Sequence, residues 1–206
     1  AGNPQHPVTR ALAAHITPYD ITHARLADIM DGMEMDLTQS RYLDYTNLKV
    51  YCHRVAGVVG ILAAGIFGYT NDQTLEYAAK LGLAFQLTNI IRDVGEDARK
   101  NRIYLPMDEM KQFGVTAADI LNAKQTEAFA RLMAFQTDRA RACYAEALAL
   151  LPPVDRRAQR TGLVMAAIYR TLLDEIARDG YQVLKQRIAL PPLRKLWLAW
   201  KTWLIA

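Results

Sequence analysis

Gln86, Asn89, Asp93 and Asp97 follow one another at intervals of three, four and four residues inside the otherwise apolar stretch FQLTNIIRDVGED. At 100° per residue this spacing puts all four on one helical stripe about 80° wide. Leu81, Leu83, Phe85, Leu87, Ile90, Ile91 and Val94 fill the remaining sides, so the helix belongs inside a bundle. The stripe then faces either solvent or an internal cavity. It opens with amides and turns acidic toward the helix C-terminus, where carboxylates oppose the helix dipole. A divalent cation would compensate. Asn and Asp oxygens suit a hard cation such as Mg²⁺, which is usually held by one or two carboxylates together with substrate phosphates. Asn89, Asp93 and Asp97 therefore read as half of a clamp for a diphosphate. Arg92 and Arg102 are nearby cations for the same phosphates, with plain surface solubility as the alternative.

A second stretch, YCHRVAGVVGILAAGIFG, spans Tyr51 to Gly68. Ala56, Gly60, Ala64 and Gly68 recur every four residues and make one face of small side chains. Such a face permits close helix packing, and it leaves room for a long apolar ligand; the two readings are compatible. The hydroxyl of Tyr51 lies at the start of this helix, within reach of the same cavity.

The elements that carry these residues are all helical. No stretch alternates in the manner of a strand, and helical spacing recurs throughout. The pattern predicts a short helix over 7–15, a second from Pro18 to about 36, and a polar loop over 38–47. A long helix then reaches Gly68, the next runs from Gln73 to Asp97, and an extended connection ends at Pro106. A short helix to Gly114 precedes one capped by Thr116, and a long helix spans 125–150. LPPVD breaks the chain before a long helix over 155–179; a further piece crosses 181–189, and LPP introduces a terminal helix.

The 206 residues suffice for one domain, 1–206, with a sizeable core. Apolar residues at 51% and charged residues at 22% are ordinary for a globular protein. A net charge of +4 suits an anionic ligand or membrane surface, and no lysine/arginine-rich block supports nucleic acid as a partner. Cys52 and Cys143 form neither a disulfide framework nor a metal pattern, which fits a cytoplasmic setting. No run of about 18 apolar residues reads as a membrane span, and no signal peptide opens the chain.

Two stretches resemble the signatures of the squalene/phytoene synthase family: YCHRVAGVVG, and LGLAFQLTNIIRDVGEDARKNRIYLP over 81–106. The second carries Q-x-x-N-x-x-x-D-x-x-x-D and a closing R-x-Y-x-P at fixed spacing. DGMEMDL (31–37) and MAAIYRTLLDEI (165–176) are also similar to the family. The resemblance implies an all-α isoprenoid synthase bundle around a central cavity. It implies Mg²⁺-dependent head-to-head joining of two prenyl diphosphates. By position it makes Asn89, Asp93 and Asp97 metal-binding residues, with Gln86 and Arg92 at the diphosphate. Tyr51 and Tyr104 then border the reacting carbons, and Tyr169 and Arg187 are further substrate-binding residues.

The family also needs an earlier D-x-x-x-D motif, expected upstream of Ala1. Asp28, Asp31 and Asp36 have the wrong spacing for it. Asp28 reads as a solvated residue, while Asp31 and Asp36 are structural or touch substrate. The chain is thus expected to lack its N-terminal helices and to be inactive alone. The open wall would leave apolar surface that invites oligomerisation. PPLRKLWLAWKTWLIA (191–206) holds three tryptophans, three cations and no acid. It reads as a helix lying on a membrane surface, in this setting the inner face of the cell membrane, with docking on the core as the alternative.

Within the family the motifs favour farnesyl diphosphate giving presqualene diphosphate or squalene. Geranylgeranyl diphosphate giving phytoene is the second reading. NADPH enters only if the product is squalene. A non-catalytic relative of the assembly-factor type should have lost Asn89, Asp93 and Asp97. A class I terpene cyclase would not need the R-x-Y-x-P ending.

Overall fold

The computed structural model describes residues 3–205. Ten α-helices follow in order among them: α1 (Pro7–Ala13), α2 (His23–Thr38), α3 (Tyr45–Cys52), α4 (Val58–Phe67), α5 (Gln73–Arg99), α6 (Met107–Phe113), α7 (Ala117–Leu121), α8 (Glu127–Leu150), α9 (Arg160–Arg178) and α10 (Pro192–Ile205). The all-α expectation holds, and among the described residues the only β pairing is an isolated parallel bridge between Arg41 and Ile103.

The apolar α5 is the axis of the bundle. Leu81, Leu83, Leu87, Ile90, Ile91 and Val94 are buried along it, with α8 as its main partner and α4 and α9 on other sides. Its N-terminus is held from a distance. Asp155 is buried and accepts from the Thr70 and Asn71 backbone N–H groups and from the Thr70 and Thr74 hydroxyls, at 2.7–3.1 Å. A carboxylate there holds the turn that leads into α5 and complements the helix dipole.

Four boundaries differ from the expected ones, each for a local reason. α2 begins at His23, not Pro18, because Asp20 adopts a left-handed φ of 49° and Thr22 accepts from the Arg25 N–H as cap. α3 begins inside the expected loop because Asp44 caps it through the Asn47 N–H at 2.8 Å. α9 begins at Arg160, since Asp155 is committed to α5. The piece expected over 181–189 is a single 3-10 turn, Gln182–Leu184, because Gly180 and Tyr181 both take positive φ and end the preceding helix.

The expected long helix into Gly68 carries a π turn at His53–Gly57, between α3 and α4. One inserted residue turns the following face by about 100°, and such bulges gather at functional sites. Gly68, at φ +88°, ends α4. The run Tyr45–Phe67 is, by length and composition, apolar enough to cross a membrane, contrary to the sequence-based expectation. In the structure its small-residue face is seated on α5: a Cβ at Gly60 would strike the Ala78 carbonyl. Val59 and Ile66 on its other side are exposed, as are Met30, Met33 and Leu37 of α2.

Candidate active site

The small-residue face packs on α5 and also borders a cavity. Ala56, Gly60 and Ala64 pack closely on α5, and they also line a cavity of about 290 Å³ between α4, α5 and α9. This is near the lower end of ligand-pocket volumes, roughly 300–1,000 Å³. Its walls are mostly apolar, including Phe67, Leu81, Phe85 and Met165. Gln86, Asn89 and Tyr169 supply polar groups to the lining. The Oδ1 of Asn89 is buried without a hydrogen-bond partner, and its amide donates only a long bond of 3.4 Å to Gln86 Oε1. A buried acceptor left unpaired is costly.

Asp93 lies one turn further on and is clasped by two arginines. Arg92 donates through Nε at 2.8 Å and Nη2 at 2.5 Å, and Arg187 donates through Nε at 2.9 Å. Burial works to raise the Asp93 pKa, but the two guanidiniums win and hold it below the usual carboxylate range. Arg187 arrives from the far end of the chain because Gly95 admits the 3-10 turn at Gln182–Leu184: a Cβ there would strike the carbonyls of Val183 and Leu184. A second pocket, of about 330 Å³, is lined by Arg92, Tyr169, Arg187 and Lys195 with apolar neighbours. Tyr169 belongs to the walls of both pockets, so an apolar chamber and a basic one share a boundary.

Asp97 is in the opposite electrostatic state. Burial first, and then the nearby Asp93, push its carboxyl up to about 6. A second anion in this place calls for positive charge. The donor set of Asn89, Asp93 and Asp97 is all oxygen and fits a hard divalent cation. Among the described residues no cluster of three His, Cys, Asp or Glu side chains forms a closed protein cage.

Tyr51 and Tyr104 come together in a separate cluster, outside the lining of both pockets. Tyr51 is only 4% exposed. The rings of Tyr42, Tyr51 and Tyr104 pack with centroids 5.3–5.8 Å apart. The strand-like segment that carries Tyr104 is held against 40–43 by the Ile103 N–H to Ser40 O and the Met107 N–H to Tyr42 O. At the centre stands Asp36. Its carboxylate accepts from Tyr51 OH at 3.1 Å, Tyr104 OH at 2.7 Å and Arg102 Nη1 at 3.0 Å, and Arg102 Nη2 also donates to the Asp36 carbonyl. Burial first, then the neighbouring Tyr104 and Asp36, push Tyr51 upward; burial and Asp36 do the same for Tyr104. Both hydroxyls therefore stay protonated and act as donors. The Arg102 N–H donates to the Asp97 carbonyl at 2.9 Å, which ties this cluster to the end of α5.

Asp36, like Asp31, was expected to be structural or to touch substrate. Its three partners lie 15, 66 and 68 residues away in the chain, so no local spacing points to it. Arg102, for which phosphate binding and surface solubility were the two readings, pairs with Asp36 in this structure.

The family model for squalene/phytoene synthase matches residues 1–194. A phytoene synthase of Arthrospira platensis is 41% identical over 95% of this chain and 68% of its own length. A 15-cis-phytoene synthase of Synechococcus elongatus is 37% identical over the same shares. Among solved structures, a dehydrosqualene synthase superposes with a TM-score of 0.83 at 29% identity, covering 97% of this chain and 70% of that one. A squalene synthase from Alicyclobacillus acidocaldarius gives 0.79 at 28% identity, covering 87% and 68%. The fold is the isoprenoid synthase helical bundle, and the chain belongs to the squalene/phytoene synthase family.

Proposed function

We propose that this protein, in its full natural length, joins two molecules of geranylgeranyl diphosphate head to head to give phytoene. Head-to-head prenyl condensation is the reaction of the family. The phytoene reading displaces farnesyl diphosphate, which the motifs had favoured, because the relatives compared by sequence carry the name phytoene synthase. The solved structures named for squalene and dehydrosqualene are similar at lower identity. On the phytoene reading NADPH has no part.

The observation that carries the reaction class is the junction of an apolar chamber with a basic pocket beside Asn89, Asp93 and Asp97. A prenyl chain suits the first and its diphosphate the second. Asn89, Asp93 and Asp97 would hold Mg²⁺, which when bound supplies charge to offset that growing on the leaving diphosphate. Arg92 and Arg187 are released from Asp93 to the phosphate oxygens, where planar guanidiniums bind well. Gln86 orients the diphosphate, and Tyr169, between the two chambers, marks the point where tail ends and head begins. The apolar walls exclude water from an allylic cation. Tyr51 and Tyr104 pack on each other outside both chambers; they would act on the site through Asp36 and Arg102, and their protonated hydroxyls make poor free bases.

Non-hydrolysable thiodiphosphate analogues of the C20 and C15 chains test this by calorimetry. Tighter binding of the C20 analogue, dependent on Mg²⁺ and lost in Asp97→Asn, is expected. Equal binding with and without Mg²⁺ would overturn the metal assignment, and preference for C15 would restore the farnesyl reading.

A further inference from the structure

The helix α10 packs along α9 in the opposite direction. Arg194 pairs with Glu175 at 2.5 Å near one end, and the Arg160 guanidinium lies 5.2 Å over the Trp203 ring near the other. The inward face carries Leu198, which packs on the core, and Thr202. The outward face is apolar. Leu193, Leu196, Trp197, Trp200, Trp203 and Leu204 fall within about 120° of one another at 100° per residue. Trp197, Trp200 and Trp203 are 53%, 63% and 51% exposed. Arg194 and Lys201 border this arc on one side, and the Lys201 ammonium lies 5.1 Å over the Trp197 ring.

We infer that α10 lays this outward face on the surface of an anionic lipid bilayer. Charge selects the occupant. Residues 180–206 hold Lys185, Arg187, Arg194, Lys195 and Lys201 and no Asp or Glu. Basic residues beside an exposed arc of tryptophan and leucine are the composition of a helix lying in the headgroup region, where amphipathic indole rings and cations both find partners. A protein partner for this face would instead need acids matching the cations and a groove for three indoles. The placement also has a consequence for an apolar ligand. α9 carries Gly162, Met165 and Tyr169 on the cavity wall, so the bilayer helix rests on the back of one wall of the apolar chamber.

The chain's only tryptophans are the three in α10, so intrinsic tryptophan fluorescence reports on this surface alone. The protein is titrated with phosphatidylglycerol-rich vesicles and with neutral phosphatidylcholine vesicles, with and without brominated acyl chains. A blue shift and bromine quenching with the anionic vesicles, weakened by salt, is expected. Leu196→Ser combined with Trp200→Ser should weaken partitioning by about tenfold or more. Lys201→Glu, which removes the cation over Trp197, should weaken it in low salt only. No shift on anionic vesicles, or equal partitioning into neutral ones, overturns the inference. A blue shift that grows with protein concentration in the absence of lipid also overturns it, since a second copy then covers the face.

Discussion

Removing the Asp36 carboxylate should loosen the tyrosine cluster at the end of α5. Asp36→Ala removes the acceptor for Tyr51 OH, Tyr104 OH and Arg102 Nη1. The Arg102 ion pair is partly exposed, with Asp36 at 35%, so it contributes no more than ~0.5–1 kcal/mol. Each tyrosine bond adds about 1 kcal/mol, and the deeply buried Tyr51 hydroxyl is left unpaired, which brings the loss to ~3 kcal/mol. Asp36→Asn keeps one acceptor oxygen and the shape, and should cost about 1 kcal/mol. With a urea m-value of about 2 kcal/mol/M for a chain of this size, the Ala midpoint moves down by about 1.5 M and the Asn midpoint by about 0.5 M. Urea unfolding followed by far-UV circular dichroism reads both. If Asp36→Ala falls within ~0.5 kcal/mol of the parent, the cluster does not hold α2 to Tyr51 and Tyr104, and the reasoning fails.

Three other outcomes follow from the same structure. Gly60→Ala forces a methyl into the Ala78 carbonyl and should cost about 1–3 kcal/mol, seen as a lower thermal midpoint and a changed cavity; an unchanged midpoint would mean that α4 moves off α5 freely. Asp155→Ala strips four acceptor contacts from the start of α5 and should cost ~3 kcal/mol or more by urea unfolding, while a loss under 1 kcal/mol would show water replacing it easily. Asp97 titrates near 6 when folded against an ordinary 3.8, so the folded state holds its proton more tightly than the unfolded one. Its contribution to stability is therefore most favourable below 3.8 and declines as pH rises through that window to about 6, levelling above. Asp97→Asn should flatten this descent; a parallel pH profile for the variant would place the effect elsewhere.

The stripe on α5 was legible because it is local. Gln86, Asn89, Asp93 and Asp97 lie on one helix at helical intervals, and the helix runs unbroken past all four. Tyr104 was found through R-x-Y-x-P, and the close-packed face of α4 through its four-residue repeat. Asp36 was undecided because its role exists only after three distant segments meet. The clasp of Arg187 on Asp93 depends on Gly95 admitting a turn from residues 182–184, a contact across about ninety residues of chain. The start of α9 was misplaced for a related reason: Asp155, where that helix was expected to begin, instead binds the turn that leads into α5. Local spacing is readable where one helix carries the whole pattern and unreadable where tertiary contact assigns the partner.

The most direct test of the account is the product made by the protein in its full natural length, given geranylgeranyl diphosphate or farnesyl diphosphate with Mg²⁺ and without NADPH. The hydrocarbon fraction is identified by mass spectrometry. Phytoene from the C20 substrate, absent when Mg²⁺ is chelated and abolished in Asp93→Asn, is the predicted result. A C30 product from farnesyl diphosphate alone, or turnover undiminished in chelator, would contradict it.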